Sequence, residues 1–361
     1  MRKFWCFCAL LILILSFSSC EKNIRKINEG SETPYIIFSI DNQLVKINCQ
    51  TGLKTTLCQD PLCNHSEMYR WQCPFYCDVG KFTLTESGNT LYFARTIDQN
   101  QIFQYNLKTG DLKEIYKTNQ TVLDIIAYKE DLYFIERIYE ANDIEEFAYY
   151  NLHKYASAED RVVKLNQEKI ENLFVINSIK NDRIYIFDFG SNSGFNTALD
   201  FTDRKTTNSD DFSSKYDYEY IKDEKTGWRT IKSVKDDKGN RKIITERAGW
   251  SAEVNEYIYY VEFLDEEKFI AEDKVLNKKY YNRGGSIIYR AKYDGSENGI
   301  LCDFGEHINP HFLSLYNYKP AAGDYYLVEF DKYETTETEQ VYIAHEYAVL
   351  NIITGEYKMV T

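Results

Sequence analysis

Proline and positive charge are both scarce in this chain. Only 5 Pro occur in 361 residues, so residues that interrupt a sheet are rare. Lys and Arg number 43 against 56 Asp and Glu, for a net charge of -13. That balance disfavours nucleic acid or an anionic lipid surface as the main partner, since both require a basic footprint. Beyond the first twenty residues no apolar run approaches the length of a membrane span. No stretch of helical length keeps a 3.6-residue apolar period, which weighs against an α/β enzyme fold. A Gly-rich phosphate loop, a G-x-S-x-G elbow and an H-E-x-x-H pair are all missing, and with them the chemistries those motifs announce.

What is abundant is β-forming. Aromatics make up 16% of the chain, with 31 Tyr, enough with Ile and Val for an extensive sheet core. At the amino end, Arg2 and Lys3 precede an uncharged apolar run from Phe4 to Phe17, and Phe17-Ser18-Ser19-Cys20 closes it. The run is short for a spanning helix and its flanks are those of an export signal. Its small-small-Cys ending resembles the bacterial lipoprotein box, which implies residues 1–19 as a signal peptide and Cys20 as the lipidated first residue. An ordinary signal cut near Ser19 is the alternative. Glu21 in place of Asp fits release to the outer membrane, if the cell is Gram-negative. Removing residues 1–19 takes the charge to about -15. Membrane contact is then expected through the lipid alone. Residues 20–33 read as a tether and 34–361 as the folded domain.

In that domain one phrase recurs about six times. An apolar strand with an early Tyr leads to a second strand that runs into a Thr-Gly or Asp-Gly turn, and a third short strand follows. The cleanest copy is Leu91-Tyr-Phe-Ala, then Gln101-Ile-Phe-Gln-Tyr-Asn-Leu-Lys-Thr-Gly110, then Leu112 to Tyr116. The first strand returns at Tyr35, Leu132, Ile184, Ile258 and Tyr325. Another apolar strand, such as Val122 to Tyr128, sits between copies. Four strands in roughly 40 to 45 residues is the period of a propeller blade. The expected fold is therefore all-β, a propeller of six four-stranded blades. Only Asn23 to Asn28 is available as the innermost strand of the first unit.

With strands lettered A to D from the centre outward, the A–B and C–D turns are tight and rich in Asn, Asp and Gly, which tolerate positive φ. The long insertions are read between B and C, at Tyr139–Glu146, Gly190–Tyr216, Asp265–Gly284 and Lys332–Ala344. In an antiparallel meander those connections emerge at one end together with D–A, so a single working face is expected there.

The Cys-rich stretch 58–77 repeats nowhere else and joins D of the first unit to A of the second. It holds Cys58, Cys63, His65, Cys73 and Cys77. Outside the signal and Cys20, those four cysteines with Cys49 and Cys302 make an even set of six. In an exported chain an even set points first to disulfides. Zinc held by Cys and His is the second reading and free thiols the third. Cys49 and Cys302 are read in sheet strands as small buried apolar residues. A secondary candidate site is His307 and His311 with Asp303 and Glu306, in the connection before the sixth unit, able to ligate a metal or relay protons. His153 and His345 are read as structural.

The run Leu57-Cys58-Gln-Asp60-Pro61-Leu-Cys63-Asn-His65, followed by Cys73-Pro74-Phe75, resembles a motif of exported bacterial propeller-like lipoproteins. The strand repeats resemble six-bladed TolB-like propellers generically. These resemblances imply fold and address and bring no catalytic residue. The expectation is a cell-envelope lipoprotein whose propeller binds a ligand or an envelope protein on its loop-rich face. Its rivals are an enzyme acting on a glycan or peptide at the channel mouth and a structural member of an envelope assembly.

Overall fold

A computed structural model of the chain describes residues 33–63, 72–78, 80–95, 100–139, 148–166, 170, 174–180, 183–188, 196–200, 206–208, 218–222, 228–273, 278–313, 321–335 and 340–361. The signal region, Cys20, the tether up to residue 32 and the proposed inner strand 23–28 lie outside them, as do His65 and all of the insertion Tyr139–Glu146 beyond Tyr139 itself.

β-branched and aromatic residues in short runs, punctuated by left-handed turn residues, give 26 strands and no helix among the described residues. They form six separate antiparallel sheets in chain order, the architecture of a β-propeller. The first sheet is β1 (Tyr35–Ile40), β2 (Gln43–Asn48) and β3 (Lys54–Thr56). The second is β4 (Phe82–Leu84), β5 (Thr90–Arg95), β6 (Gln101–Asn106) and β7 (Leu112–Lys117). The third is β8 (Thr121–Tyr128), β9 (Asp131–Tyr139), β10 (Ala148–Ala156) and β11 (Arg161–Lys164). The fourth is β12 (Phe174–Lys180), β13 (Arg183–Asp188), β14 (Asn196–Asp200) and β15 (Thr206–Asn208). The fifth has six strands, β16 (Glu219–Lys222), β17 (Arg229–Lys232), β18 (Ile243–Val254), β19 (Tyr257–Asp273), β20 (Lys278–Lys292) and β21 (Gly299–Asp303). The sixth is β22 (Ile308–Phe312), β23 (Ala321–Ala322), β24 (Tyr325–Thr335), β25 (Gln340–Asn351) and β26 (Tyr357–Met359).

One turn is built the same way three times, at Asn48–Gly52, Asn106–Gly110 and Asn351–Gly355. Each Asn side-chain oxygen accepts two backbone N–H groups at 2.9 and 3.0 Å. The Gly N–H then returns to the Asn carbonyl, with φ between +75° and +79°, a conformation only Gly reaches without strain. At Gly52 the turn also meets the end of the chain. The Thr361 N–H donates to the Gly52 carbonyl and the Lys54 N–H to the Thr361 carbonyl, so the last sheet abuts the first. Leu327 and Val349 of the sixth sheet share a buried cluster with Ile36, Phe38 and Phe93. Further clusters join the second sheet to the third, the third to the fourth, and the fifth to the sixth. Side chains stitch the inner strands. The Lys81 ammonium donates to the Val122 and Leu123 carbonyls, the Ala127 N–H to Thr83 Oγ1, and the Ile176 N–H to Asp124 Oδ2.

One reading of the insertions is corrected. Residues Gly190–Tyr216 are not a B–C insertion, because they contain β14 and β15, the outer half of the fourth sheet. Arg183 faces Asp200 and Phe187 faces Asn196 across β13 and β14. The polar composition of this segment conceals two strands with no apolar alternation to announce them. Downstream, β16 and β17 extend the fifth sheet past β18, and Ile231 and Ile244 pack with Ile258, Tyr260 and Ala291. The insertions at Asp265–Gly284 and Lys332–Ala344 do lie where they were read, between β19 and β20 and between β24 and β25. They prolong them as hairpins, with Asp273 facing Lys278 and Thr335 facing Gln340.

Candidate functional site

Two assemblies carry chemistry at the same end of the sheets. The first is the Cys-rich arm. Leu44, just after the β1–β2 turn, holds both of its ends: the Leu44 N–H donates to the Phe75 carbonyl, and the Leu44 carbonyl accepts from the Leu57 N–H. The Cys77 N–H reaches the Asn42 carbonyl and Ser39 Oγ donates to the Cys77 carbonyl at 2.6 Å. Phe75 plugs the arm into the core, its ring stacked on Phe93 at 5.4 Å and edge-on to Tyr105 at 4.9 Å. Asp60 shapes the turn that presents Cys63: Oδ1 accepts the Leu62 N–H and the Asp60 carbonyl accepts the Cys63 N–H.

The fold brings the Cys58, Cys63 and Cys73 sulfurs within 4.8 Å of one another. Cys77 stands apart, its thiol turned to the Asp78 and Lys81 carbonyls at 3.4 and 3.3 Å. No sulfur–sulfur bond joins the six described cysteines. Burial drives the Cys63, Cys73 and Cys77 thiols above their usual range. Cys49 lies in the turn after β2 rather than in a strand, and Cys302 lies in β21. Both are buried, with thiols pushed up to about 12 and about 11 by desolvation.

The second assembly is a cleft between the fifth and sixth sheets. Its cavity of about 210 Å³ is lined by Gly249 and Trp250 of β18, Val261 and Phe263 of β19, Gly284 of β20, Asn309, Pro310 and His311 of β22, and Asp331 of β24. Gly249 is required here because a Cβ would sit 2.7 Å from the Phe263 ring. Strand β22 is bulged between Ile308 and His311, and Asn309 takes φ +56°. Such bulges re-aim side chains. The register then sets His311 opposite Glu329 and Asp331 opposite His345 on three adjacent strands.

Glu329 is bracketed by imidazoles, with His311 Nε2 at 2.9 Å from Oε2 and His345 Nδ1 at 3.2 Å from Oε1. Asp331 stands 3.6 Å from His345 Nδ1 and accepts from Asn309 Nδ2 at 3.0 Å. The other His311 nitrogen, Nδ1, faces the Asn309 carbonyl at 3.1 Å. Both ring nitrogens thus face acceptors, which suits an imidazolium that donates from each. Burial lowers the His311 pKa, but the bond to Glu329 and the Asn309 carbonyl outweigh it and the net shift is upward. Burial likewise opposes ionisation of Glu329, and the two histidines reverse that, leaving it below the usual carboxylate range.

The quartet read from the sequence is not assembled. His311 belongs to the cleft as part of a strand rather than a connection. Asp303 accepts from Ser286 Oγ and the Gly305 N–H, Glu306 is exposed, and His307 pairs with Glu346 at 3.0 Å. His153 is enclosed at 8% exposure, stacked on Phe134 and 3.1 Å from Glu136, as a structural residue would be. His345, read as structural, instead stands beside Glu329 and Asp331.

No protein-family model matches the chain, and no curated protein does. Among solved structures it is similar to TolB from Acinetobacter baumannii, at 9% identity and TM-score 0.37, covering 73% of this chain and 64% of that one. It is also similar to the acylaminoacyl peptidase of Pyrococcus horikoshii, at 11% identity and TM-score 0.45, covering 88% and 48%. A third is the oligogalacturonate lyase of Vibrio parahaemolyticus, at 10% identity and TM-score 0.28, covering 91% and 79%. The chain spans about half to two thirds of the length of the first two. At such identities no activity passes from them to this chain.

Glu329, Asp331, Trp250, Phe263 and Asn309 were missed by sequence reasoning. A signal existed for the carboxylates: Glu329 and Asp331 are two apart on one strand and so share a face.

Proposed function

We propose that the protein is an exported, lipid-anchored propeller of the cell envelope that binds a sugar ring of a glycan in the cleft between its fifth and sixth sheets. Six blades are the count that the six sheets support. The carrying observation is the cavity itself, where Trp250 and Phe263 offer aromatic faces and Asn309, His311 and Asp331 offer polar groups. Aromatic faces beside planar hydrogen-bonding groups suit an amphipathic ring. A volume of about 210 Å³ falls below the roughly 300–1,000 Å³ of drug-sized pockets, which suits one ring at a chain end. The Cys-rich arm serves as a rigid rim element at the same end.

The test is retention of defined glycans by the exported chain, followed by titration calorimetry. Wild type should bind at least one glycan class and Trp250→Ala should bind it at least tenfold more weakly. If no glycan is retained, or Trp250→Ala binds as wild type does, the reading fails. The His311–Glu329 pair favours a second reading, catalysis on the bound glycan, since a carboxylate beside an imidazolium is a general acid–base arrangement. Product formation from a retained glycan, lost in Glu329→Gln while binding persists, would select it.

A further inference from the structure

We propose that Cys58, Cys63 and Cys73 form a metal site, and that the ion is zinc. Disulfides consume sulfurs in pairs, yet the fold gathers three at one place, within 4.8 Å of one another. The cysteine that would make the number even is engaged elsewhere, since the Cys77 thiol faces the Asp78 and Lys81 carbonyls. Sulfurs around a tetrahedral zinc at 2.3 Å stand about 3.8 Å apart, which the observed grouping accommodates. A bonded pair would close to about 2.05 Å and leave the third without a role.

The surroundings agree. Leu57 and Phe75 flank the cluster in the core, and Cys58 and Cys73 are 6% and 0% exposed while Cys63 is half-buried. Soft thiolates in a preformed cradle select zinc over the hard cations that favour oxygen. Binding replaces protons with the ion: three thiols lose three protons to solvent and three S–Zn bonds form, with no change of oxidation state. One tetrahedral position remains for a further donor. Because the arm is fastened at both ends through Leu44, an ion at its centre would tie its two halves together and fix the rim. This inference stands apart from the glycan reading and survives its failure.

The test is zinc content, by elemental mass spectrometry, of the mature chain extracted from membranes. About one zinc per chain is expected in wild type and in Cys302→Ser. At least a tenfold loss is expected in Cys63→Ser, whose half-exposed position spares the core. Alkylation of the unmutated protein gives a second reading. Cys63, the half-buried member of the three, should be protected until a chelator is added and then labelled, while the buried Cys49, Cys77 and Cys302 stay protected throughout. Cobalt added to the stripped protein should give a thiolate charge-transfer band. Absence of zinc and of that band in wild type, undiminished zinc in Cys63→Ser, or a mass two units low that only reductant restores would each overturn the site.

Discussion

The arm and the cleft stand at the same end of the propeller and are built by opposite means. The arm gathers its sulfurs from a segment of sixteen residues, Cys58 to Cys73, and seats them among Leu57, Phe75 and Phe93. The cleft gathers its groups from β18, β19, β20, β22 and β24, with His345 on β25, and sets two carboxylates against two imidazoles. One depends on apolar burial, the other on register and charge. Damage to the two regions should therefore show different signatures.

The largest effect is expected at the arm. Phe75→Ala removes a 6% exposed ring packed on Phe93 and Tyr105, and should destabilise the fold by about 3–5 kcal/mol in denaturant unfolding. At the cleft, Glu329→Gln removes a charge-assisted acceptor from His311 and should cost about 2 kcal/mol at pH 6. The upward shift of His311 should shrink with it, as followed by NMR titration of its ring protons. If His311 titrates unchanged in Glu329→Gln, the imidazolium is not held by that carboxylate.

The dependence on pH sharpens the contrast. His311 is raised from its ordinary 6.5, so its stabilisation is complete below that value and is lost as pH rises through the folded-state pKa. Glu329 is lowered from its ordinary 4.5, so its share is complete above that value and is lost as pH falls through the folded-state pKa. The stability gap between wild type and Glu329→Gln should be widest between pH 4.5 and 6.5 and narrow on both sides. Phe75 packs on the rings of Phe93 and Tyr105, neither of which titrates there, so the Phe75→Ala loss in metal-free protein should stay flat over the same window. A matching pH profile for both variants would remove the distinction.

The same division explains what the sequence disclosed. The sheet repeats were legible because their alternation and Asn-x-x-Thr-Gly turns are local, and the arm because its cysteines are close in the chain. Strands β14 and β15 were not, since their residues lack apolar alternation and only the pairing of β14 to β13 and of β15 to β14 identifies them. His311 was noticed but given neighbours in sequence, Asp303 and Glu306, whereas its partner Glu329 lies opposite it across a strand pair. Cross-strand register past a bulge is a tertiary outcome. The cysteine count was even, and parity concealed that three of the sulfurs converge while Cys77 turns away.

The smallest effect expected is also the one that isolates the bulge. Asn309 holds φ +56° and donates from Nδ2 to Asp331. Asn309→Gly relieves a left-handed conformation that favours Gly and forfeits one hydrogen bond worth about 0.5–1.5 kcal/mol. The two terms oppose each other, and urea unfolding should place this variant within about 0.5 kcal/mol of wild type. Asn309→Ala loses the same bond and gains no relief, because a Cβ in that region costs roughly 1–2 kcal/mol, so it should be the less stable of the two by about that amount. Equal stability of the Gly and Ala variants would mean that the backbone at Asn309 is not held left-handed in solution. His311 would then have to reach Glu329 by a route other than the bulge.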